Sequence, residues 1–188
     1  KHLVSPETAT KAAVNWLKRL ENGEFSVVTK RRLDTRLAPV EVKKRLKKYG
    51  SDFTKLNRQI NVSNSDTIYK KMSANKGEMW EEYHRRLRET RKTWSVDPLD
   101  RIMEAIEKMP HWLPIGDFGC GEAFLADKFE TRVQSFDVVA YDSRVTACNM
   151  EKVPVKEGDI GIAVFCQSLM GKNWSNYIKE AARCLPKD

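Results

Sequence analysis

The sequence predicts an α/β domain built on a parallel sheet and preceded by an all-helical region. From about residue 5 to residue 110, apolar residues recur at helical spacing between capping and turn residues. From residue 113 onward the pattern changes to short apolar runs, which lie at 115–118, 133–139, 145–148 and 160–166. A helical pattern follows the last run, and strands followed by helices indicate a parallel sheet.

The composition favours a folded chain of one domain or slightly more. The protein has 188 residues, of which 40% are hydrophobic, and this is enough apolar material for a packed core. At about 150 residues per domain, we predict a basic helical region over 1–75 and a second domain over 76–188. No apolar run approaches the ~18 residues that cross a bilayer, so we expect no membrane partner. The cysteines lie far apart and form no C-x-x-C pair, so we expect no metal site.

The basic charge of the chain lies in its first half. Residues 1–100 carry 23 Lys and Arg against 13 Asp and Glu, whereas residues 101–188 carry 11 against 13. This bias favours a polyanion-binding region joined to a region with another task. We predict that nucleic-acid phosphates bind to a basic set made of Lys30, Arg31, Arg32, Lys43, Lys44, Arg45, Lys47 and Lys48. The alternative is a solvated helical surface that binds nothing.

Short helical segments between residues 40 and 75 suggest a small helical module. Their apolar positions are Val42, Leu46, Tyr49, Phe53, Leu56, Ile60, Ile68 and Met72. The string from Val42 to Leu56 resembles the first two helices of a Myb/SANT or homeodomain-like module, in which a third helix usually enters the major groove. DNA is therefore a possible partner beside RNA, and a generic helical bundle is the alternative.

A glycine-rich turn follows the first predicted strand. Gly119-Cys120-Gly121 lies between the run that ends at Phe118 and a helix predicted to begin near Glu122. Glycine suits a tight turn and lets a cofactor approach the backbone. Asp137 ends the next predicted strand, 18 residues after Gly119, where a carboxylate can accept hydrogen bonds from ribose hydroxyls. The third glycine of a dinucleotide fingerprint and a phosphate loop are both missing. The short acidic turn Asp117-x-Gly119-x-Gly121 suits a cofactor with an amino-acid tail better than a pyrophosphate, so the pattern favours S-adenosylmethionine.

Further strings occur in a fixed order from about residue 80 onward. They are Trp80-Glu-Glu-Tyr83-His84, Trp94-Ser-Val-Asp97-Pro98-Leu-Asp100-Arg101-Ile102, Gly116-Asp-Phe-Gly-Cys-Gly-Glu122, Phe136-Asp137, Arg144-Val-Thr-Ala-Cys-Asn-Met150, Val153-Pro154 and Ala163-Val-Phe-Cys-Gln-Ser-Leu-Met-Gly171. Together they resemble the nucleolar rRNA-processing adenine-N1 methyltransferases. The resemblance implies a Rossmann-like class I methyltransferase sheet and methylation of N1 of an adenine in ribosomal or other structured RNA. It also implies a nuclear or nucleolar location in a eukaryote, and a cytoplasmic one otherwise.

The resemblance also implies which residues contact S-adenosylmethionine. Gly119, in the turn with Gly121, would let the methionine part lie against the backbone, and Asp137 would bind the ribose. Asn149 and Met150 would flank the adenine. The cofactor-binding set that follows from the resemblance is His84, Gly119, Gly121, Asp137, Asn149, Met150 and Cys166.

The acceptor base is expected beside the segment that follows the fourth strand. The candidate substrate-binding residues are Ser168, Met170, Gly171 and Trp174. Methyl transfer from a sulfonium is an in-line displacement in which positioning carries much of the barrier reduction. Adenine N1 offers a lone pair and carries no proton, so no general base is required and we assign no catalytic residue. The base must be unstacked before it reacts.

Two features keep a second interpretation open. The family usually has Asp where Asn149 stands and Leu where Gln167 stands. A hydrogen bond to a charged acceptor contributes ~1.5–3 kcal/mol, against ~0.5–1.5 kcal/mol for a neutral one, so Asn149 would bind the adenine amine of the cofactor more weakly than Asp. The predicted strands are also fewer than such a sheet usually has, so we expect a missing C-terminal segment or a protein partner to complete it. The alternative function is a non-catalytic nucleic-acid-binding or scaffold subunit with a degenerate or partner-completed methyltransferase domain.

Overall fold

The computed structural model describes residues 53–187 of the chain. Its elements are α1 (Phe53–Asn61), α2 (Ser65–Arg91), α3 (Pro98–Glu107), β1 (Ile115–Phe118), α4 (Phe124–Phe129), a 3₁₀ turn (Glu130–Arg132), β2 (Val133–Asp137), β3 (Val145–Ala147), β4 (Ile162–Val164) and α5 (Trp174–Cys184). The basic set at 30–48 and the first part of the predicted helical module lie outside the described residues. No helix among residues 53–187 is both long and apolar enough to span a membrane.

The four strands form one parallel sheet in the order β3-β2-β1-β4, which confirms the predicted α/β class. All four residues of β1 are buried, as expected for the strand with a neighbour on each side. Phe118 at the end of β1 pairs with Phe136 near the end of β2. This register places the glycine turn directly beside Asp137.

The strand β4 is shorter and more exposed than its apolar sequence predicts. The expectation of a strand over 160–166 covered on both faces is wrong, because β4 spans only Ile162–Val164 and its first two residues are partly exposed. Ile160 is buried, but its N–H donates to Cys184 O instead of to a neighbouring strand. Within residues 53–187 no strand pairs with the outer edge of β4, so this strand has only one neighbour.

Helices cover both faces of the sheet because they carry one apolar face each. Helix α3 begins where the Asp97 side chain accepts a hydrogen bond from Leu99 N at 3.0 Å, and its apolar face packs near Ile115. Helix α5 packs its buried residues against Phe118 and Phe136 on the other face. The two faces hold separate apolar clusters, and the sheet lies between them.

Helices α1 and α2 lie against the segments that follow the strands. Leu56, Ile60, Ile68 and Met72 share a core, as predicted, but this core also includes Trp80 and Tyr83 and contacts Val138, Val139 and Met170. Helix α2 is interrupted at 74–77, where Asn75, Lys76 and Gly77 have positive φ. The described part of the first predicted domain thus packs on the second, and the boundary at residue 75 stays a prediction.

Candidate cofactor site

The glycine turn is tied to the end of β2 by backbone hydrogen bonds. The N–H groups of Gly119 and Cys120 both donate to Phe136 O, at 2.8 and 3.0 Å. Gly119 has φ 76° and Gly121 has φ 56°, in the left-handed region that favours glycine. A Cβ on Gly119 would lie 2.3 Å from Ser168 Cβ, so any other residue would collide with the loop after β4.

The carboxylate of Asp137 is held by three donors. Its Oδ1 accepts from Trp80 Nε1 and from Val138 N, each at 2.7 Å, and its Oδ2 accepts from Gly121 N at 2.8 Å. Asp137 is 6% exposed and lines a cavity of about 70 Å³. The strand-end acid and the glycine turn therefore meet at one point, as the sequence predicts.

A second buried acid lies on the neighbouring strand. Asp117, in β1, is 3% exposed and lines a smaller cavity of about 50 Å³ beside Cys120 and Glu122. Among residues 53–187, no hydrogen bond or ion pair to its carboxyl group is formed. Burial, with a contribution from the negative charge of Asp137, raises the pKa of Asp117 to about 7. A cation placed in this cavity would favour the ionised form.

His84 closes over the glycine turn. Its Nε2 lies where a Cβ on Gly121 would be only 2.8 Å away, and its ring centroid lies 4.0 Å from that of Trp80 with the rings tilted by 36°. Its Nδ1 lies 3.0 Å from Trp80 O. Burial lowers the pKa of His84 although Asp137 and Glu122 act in the opposite direction, so the ring is neutral at neutral pH.

Asn149 uses both ends of its amide within the protein. Its Oδ1 accepts from Glu151 N at 3.1 Å, and its Nδ2 donates to Asp66 Oδ1 at 3.2 Å. The side chain thus caps the turn after β3 and links it to the first turn of α2. An Asp at this position would place a second negative charge beside Asp66.

Some of the remaining predicted residues line the larger cavity, and others lie away from it. Met150, Cys166 and Met170 line the larger cavity, and Tyr83 Oη donates to Met170 Sδ at 3.4 Å. Ser168 also lines the cavity, but its hydroxyl donates to Phe118 O at 2.5 Å and so anchors the loop after β4.

Two of the four predicted substrate residues lie away from the cavity. Gly171 has φ 95°, and a Cβ there would be 2.8 Å from Ile68 Cδ1, so this glycine lets the loop pass against α2. Trp174, the first residue of α5, is 49% exposed. The structure therefore brings the cofactor set together, whereas the substrate set is divided between cavity, packing and surface.

The acceptor groups and the glycine turn would fit an adenosyl group with an amino-acid tail, but the space is small. Asp137 lines one cavity and Asp117 lines the other, and the two cavities share His84, Gly119 and Cys166 as lining residues. Pockets for small-molecule ligands usually have volumes of about 300–1,000 Å³, whereas the cavity that Asp137 lines has about 70 Å³. An adenosyl group with an amino-acid tail would therefore require more room than this cavity alone provides.

The sequence predicts Asp117 as part of an acidic turn that suits an amino-acid tail, but it does not predict that Trp80 contacts the same site. The four-residue spacing of Trp80 and His84 on a helix signals that their rings are neighbours. No sequence signal links Trp80 to Asp137, because that hydrogen bond joins residues 57 positions apart.

Comparison with known proteins identifies the relatives of this chain. A protein-family model described as "Hypothetical methyltransferase" matches residues 38–187. The chain is 38% identical over 149 residues to "Ribosomal RNA-processing protein 8" of Dictyostelium discoideum, covering 78% of this chain and 37% of that protein. It is 36% identical over 136 residues to the Mus musculus protein of the same name, covering 72% and 30%.

A Schizosaccharomyces pombe relative has a more specific name. The "25S rRNA (adenine(645)-N(1))-methyltransferase" is 33% identical over 163 residues, which cover 80% of this chain and 51% of that protein. The chain thus spans between about a third and a half of the length of these three relatives. The matched region contains the glycine turn, Asp137 and the loop after β4, and the chain belongs to this methyltransferase family.

Proposed function

We propose that this chain is the cofactor-binding part of an S-adenosylmethionine-dependent methyltransferase that modifies N1 of an adenine in ribosomal RNA. The observation that carries the proposal is the 2.8 Å hydrogen bond from Gly121 N to Asp137 Oδ2, which joins the glycine turn to the acid that would bind the ribose. The names of the relatives support ribosomal RNA as the substrate and N1 of adenine as the acceptor. A nucleolar location follows from the same substrate.

The residues at the carboxyl edge of the sheet would each bind a different part of S-adenosylmethionine. Bound S-adenosylmethionine supplies a methyl group on a positively charged sulfur. Asp137 would accept a ribose hydroxyl, and the glycine turn would let the methionine part approach the backbone. Asp117 would face the ammonium group of the amino-acid tail, because it is a buried acid without a donor among the described residues.

The acceptor side would depend on positioning and exclusion of water. Met170 lines the cavity, and the exposed ring of Trp174 offers a stacking surface for an unstacked base. The lone pair of adenine N1 attacks the methyl carbon without prior loss of a proton. The basic set at 30–48 would hold RNA phosphates, so binding should weaken as salt rises.

Calorimetry with S-adenosylhomocysteine tests the cofactor site. We expect saturable binding to the parent chain and at least tenfold weaker binding to Asp137→Ala. Asp159→Ala, which removes an exposed acid remote from the cavity residues, is the matched control and should bind as the parent does. No heat of binding to the parent, or equal affinities for the two variants, would refute the proposal.

The RNA substrate is tested by binding and methyl transfer. We expect affinity for a ribosomal RNA fragment that falls as salt rises, and less so after Lys43, Lys44 and Lys47 are replaced by Gln. Transfer of labelled methyl groups should require an adenine with a free N1. A binding curve that salt leaves unchanged would argue against phosphate contacts.

A second candidate function is a non-catalytic RNA-binding or scaffold subunit. It is favoured by the narrow cavity and by Asn149, whose amide is engaged by Glu151 N and Asp66. The unpaired outer edge of β4 within residues 53–187 would then be a place where a partner or a further segment completes the sheet. RNA binding without S-adenosylhomocysteine binding would select this candidate.

A further inference from the structure

We infer that Trp80 is a positioning residue that orients the Asp137 carboxylate, so that this carboxylate reads only one of the two ribose hydroxyls. The inference rests on the proposed function, since it concerns the same adenosyl site. Trp80 then sets the orientation of the carboxylate that binds the ribose, and the site distinguishes the 2′ hydroxyl from the 3′ hydroxyl.

The first argument is the number of acceptor positions that remain on the carboxylate. A carboxylate offers about four lone pairs. Trp80 Nε1 and Val138 N occupy Oδ1, each at 2.7 Å, and Gly121 N occupies Oδ2 at 2.8 Å. One acceptor position, on Oδ2, is therefore left for a ligand in the cavity that Asp137 lines.

The second argument is that Trp80 is firmly held. The side chain is 3% exposed and lies in the core formed with Leu56 and Met72. Its ring contacts that of His84 at a centroid distance of 4.0 Å with a tilt of 36°, and its carbonyl oxygen lies 3.0 Å from His84 Nδ1. Withdrawing the indole would leave a buried N–H without an acceptor and would disturb the ring that covers the glycine turn.

The occupied Oδ1 of Asp137 and the buried indole of Trp80 together limit how a ribose can bind. Two hydroxyls can share the carboxylate only if Oδ1 is vacated, and Oδ1 is engaged by a buried indole and a backbone N–H. One hydroxyl can bind at Oδ2 with every existing hydrogen bond kept. The other hydroxyl of the ribose then contributes much less to affinity through this acid.

The test compares S-adenosylhomocysteine with its 2′-deoxy and 3′-deoxy analogues by calorimetry. In the parent chain, we expect one analogue to bind about tenfold or more weakly and the other to lose less than about threefold. In Trp80→Phe, which keeps an aromatic ring but removes the N–H, the two losses should become equal within about threefold. Trp112→Phe, at an exposed tryptophan outside both cavities, should keep the selectivity of the parent.

A second measurement uses the parent chain alone, in case Trp80→Phe does not fold. The indole N–H resonance of Trp80 should stay shifted downfield and protected from exchange when S-adenosylhomocysteine binds. Release of that proton on binding would overturn the inference, as would equal losses for the two analogues in the parent or unchanged selectivity in Trp80→Phe. Absence of any S-adenosylhomocysteine binding would remove the proposed function and this inference together, whereas the other negative outcomes remove the inference alone.

Discussion

The surroundings of Asp137 and Asp117 differ although both acids are buried on adjacent strands. Asp137 accepts three hydrogen bonds, whereas Asp117 accepts none among residues 53–187 and has its pKa raised to about 7. The two side chains are 6% and 3% exposed, so burial does not distinguish them. Hydrogen-bond donors from neighbouring segments therefore decide whether a buried carboxyl group is held in place or stays available to bind a ligand.

The largest loss of stability is expected at Asp137, whose carboxylate accepts three hydrogen bonds. Asp137→Ala leaves three N–H groups without their acceptor, two from the backbone and one from Trp80. We expect the free energy of unfolding to fall by about 4 kcal/mol, measured by urea denaturation. Asp159→Ala should change it by less than about 0.5 kcal/mol. A loss below about 1 kcal/mol in Asp137→Ala would mean that these donors do not depend on the acid.

Asp117 should produce a dependence of stability on pH. The folded chain keeps the proton up to about pH 7, whereas the unfolded chain releases it near the ordinary value of 3.8. Between these values the unfolded state binds fewer protons, so the free energy of unfolding falls as pH rises. The parent should lose on the order of 2–3 kcal/mol more than Asp117→Asn between pH 5 and pH 8.

Denaturation curves of both proteins at these two pH values provide the measurement. Asp117→Asn is the appropriate variant because it keeps the shape of the side chain and removes its titration. A difference between parent and variant that is the same at both pH values would contradict the assigned state of Asp117.

The turn that separates the two acids should tolerate no side chain. Gly119→Ala adds a Cβ 2.3 Å from Ser168 Cβ at a residue with φ 76°, so strain and collision act together. We expect a loss of about 2 kcal/mol. Gly158→Ala is the matched control, since it has φ 80° but its nearest contact is 3.9 Å away, and it should lose about 1 kcal/mol. Equal losses would show that the loop after β4 moves freely away from the turn.

The smallest change in stability is expected at Asn149, which is more exposed than either buried acid. Asn149→Asp places a carboxylate beside Asp66, which now accepts from the Asn149 amide at 3.2 Å. Because water screens both groups, we expect a loss of about 0.5 kcal/mol that shrinks in high salt. The double variant Asp66→Asn, Asn149→Asp should recover it. No recovery in thermal unfolding would show that the two positions are not coupled.

Several parts of this protein could be predicted from neighbouring residues in the sequence. The strand ending at Phe118 and the glycine turn that follows carry local signals, because glycine permits positive φ and an apolar run predicts a buried strand. The Asp97 cap of α3 is equally local. The convergence of the turn with Asp137 also follows from sequence order, since parallel neighbouring strands bring their carboxyl ends together.

Other parts depend on contacts between distant segments. Within residues 53–187, β4 pairs with β1 alone, and no apolar pattern within 160–166 predicts how many neighbours this strand has or how long its pairing runs. Ser168 and Gly171 match a substrate pattern, yet their places are set by Phe118 O and Ile68. A motif identifies these residues but does not say whether a given side chain faces a ligand or another segment.

Residue types and their order are enough to predict the α/β class, the family, and the two strand ends that form the candidate site. These features depend on residue type and short spacing, which physical chemistry translates directly into turns, strands and caps. Only the tertiary structure decided that Trp80 donates to Asp137, that Asp117 has no donor among the described residues, and that His84 covers Gly121. The reason is that a hydrogen bond or a burial cost depends on which distant segments meet, and the cooperative packing of helices on the sheet settles that.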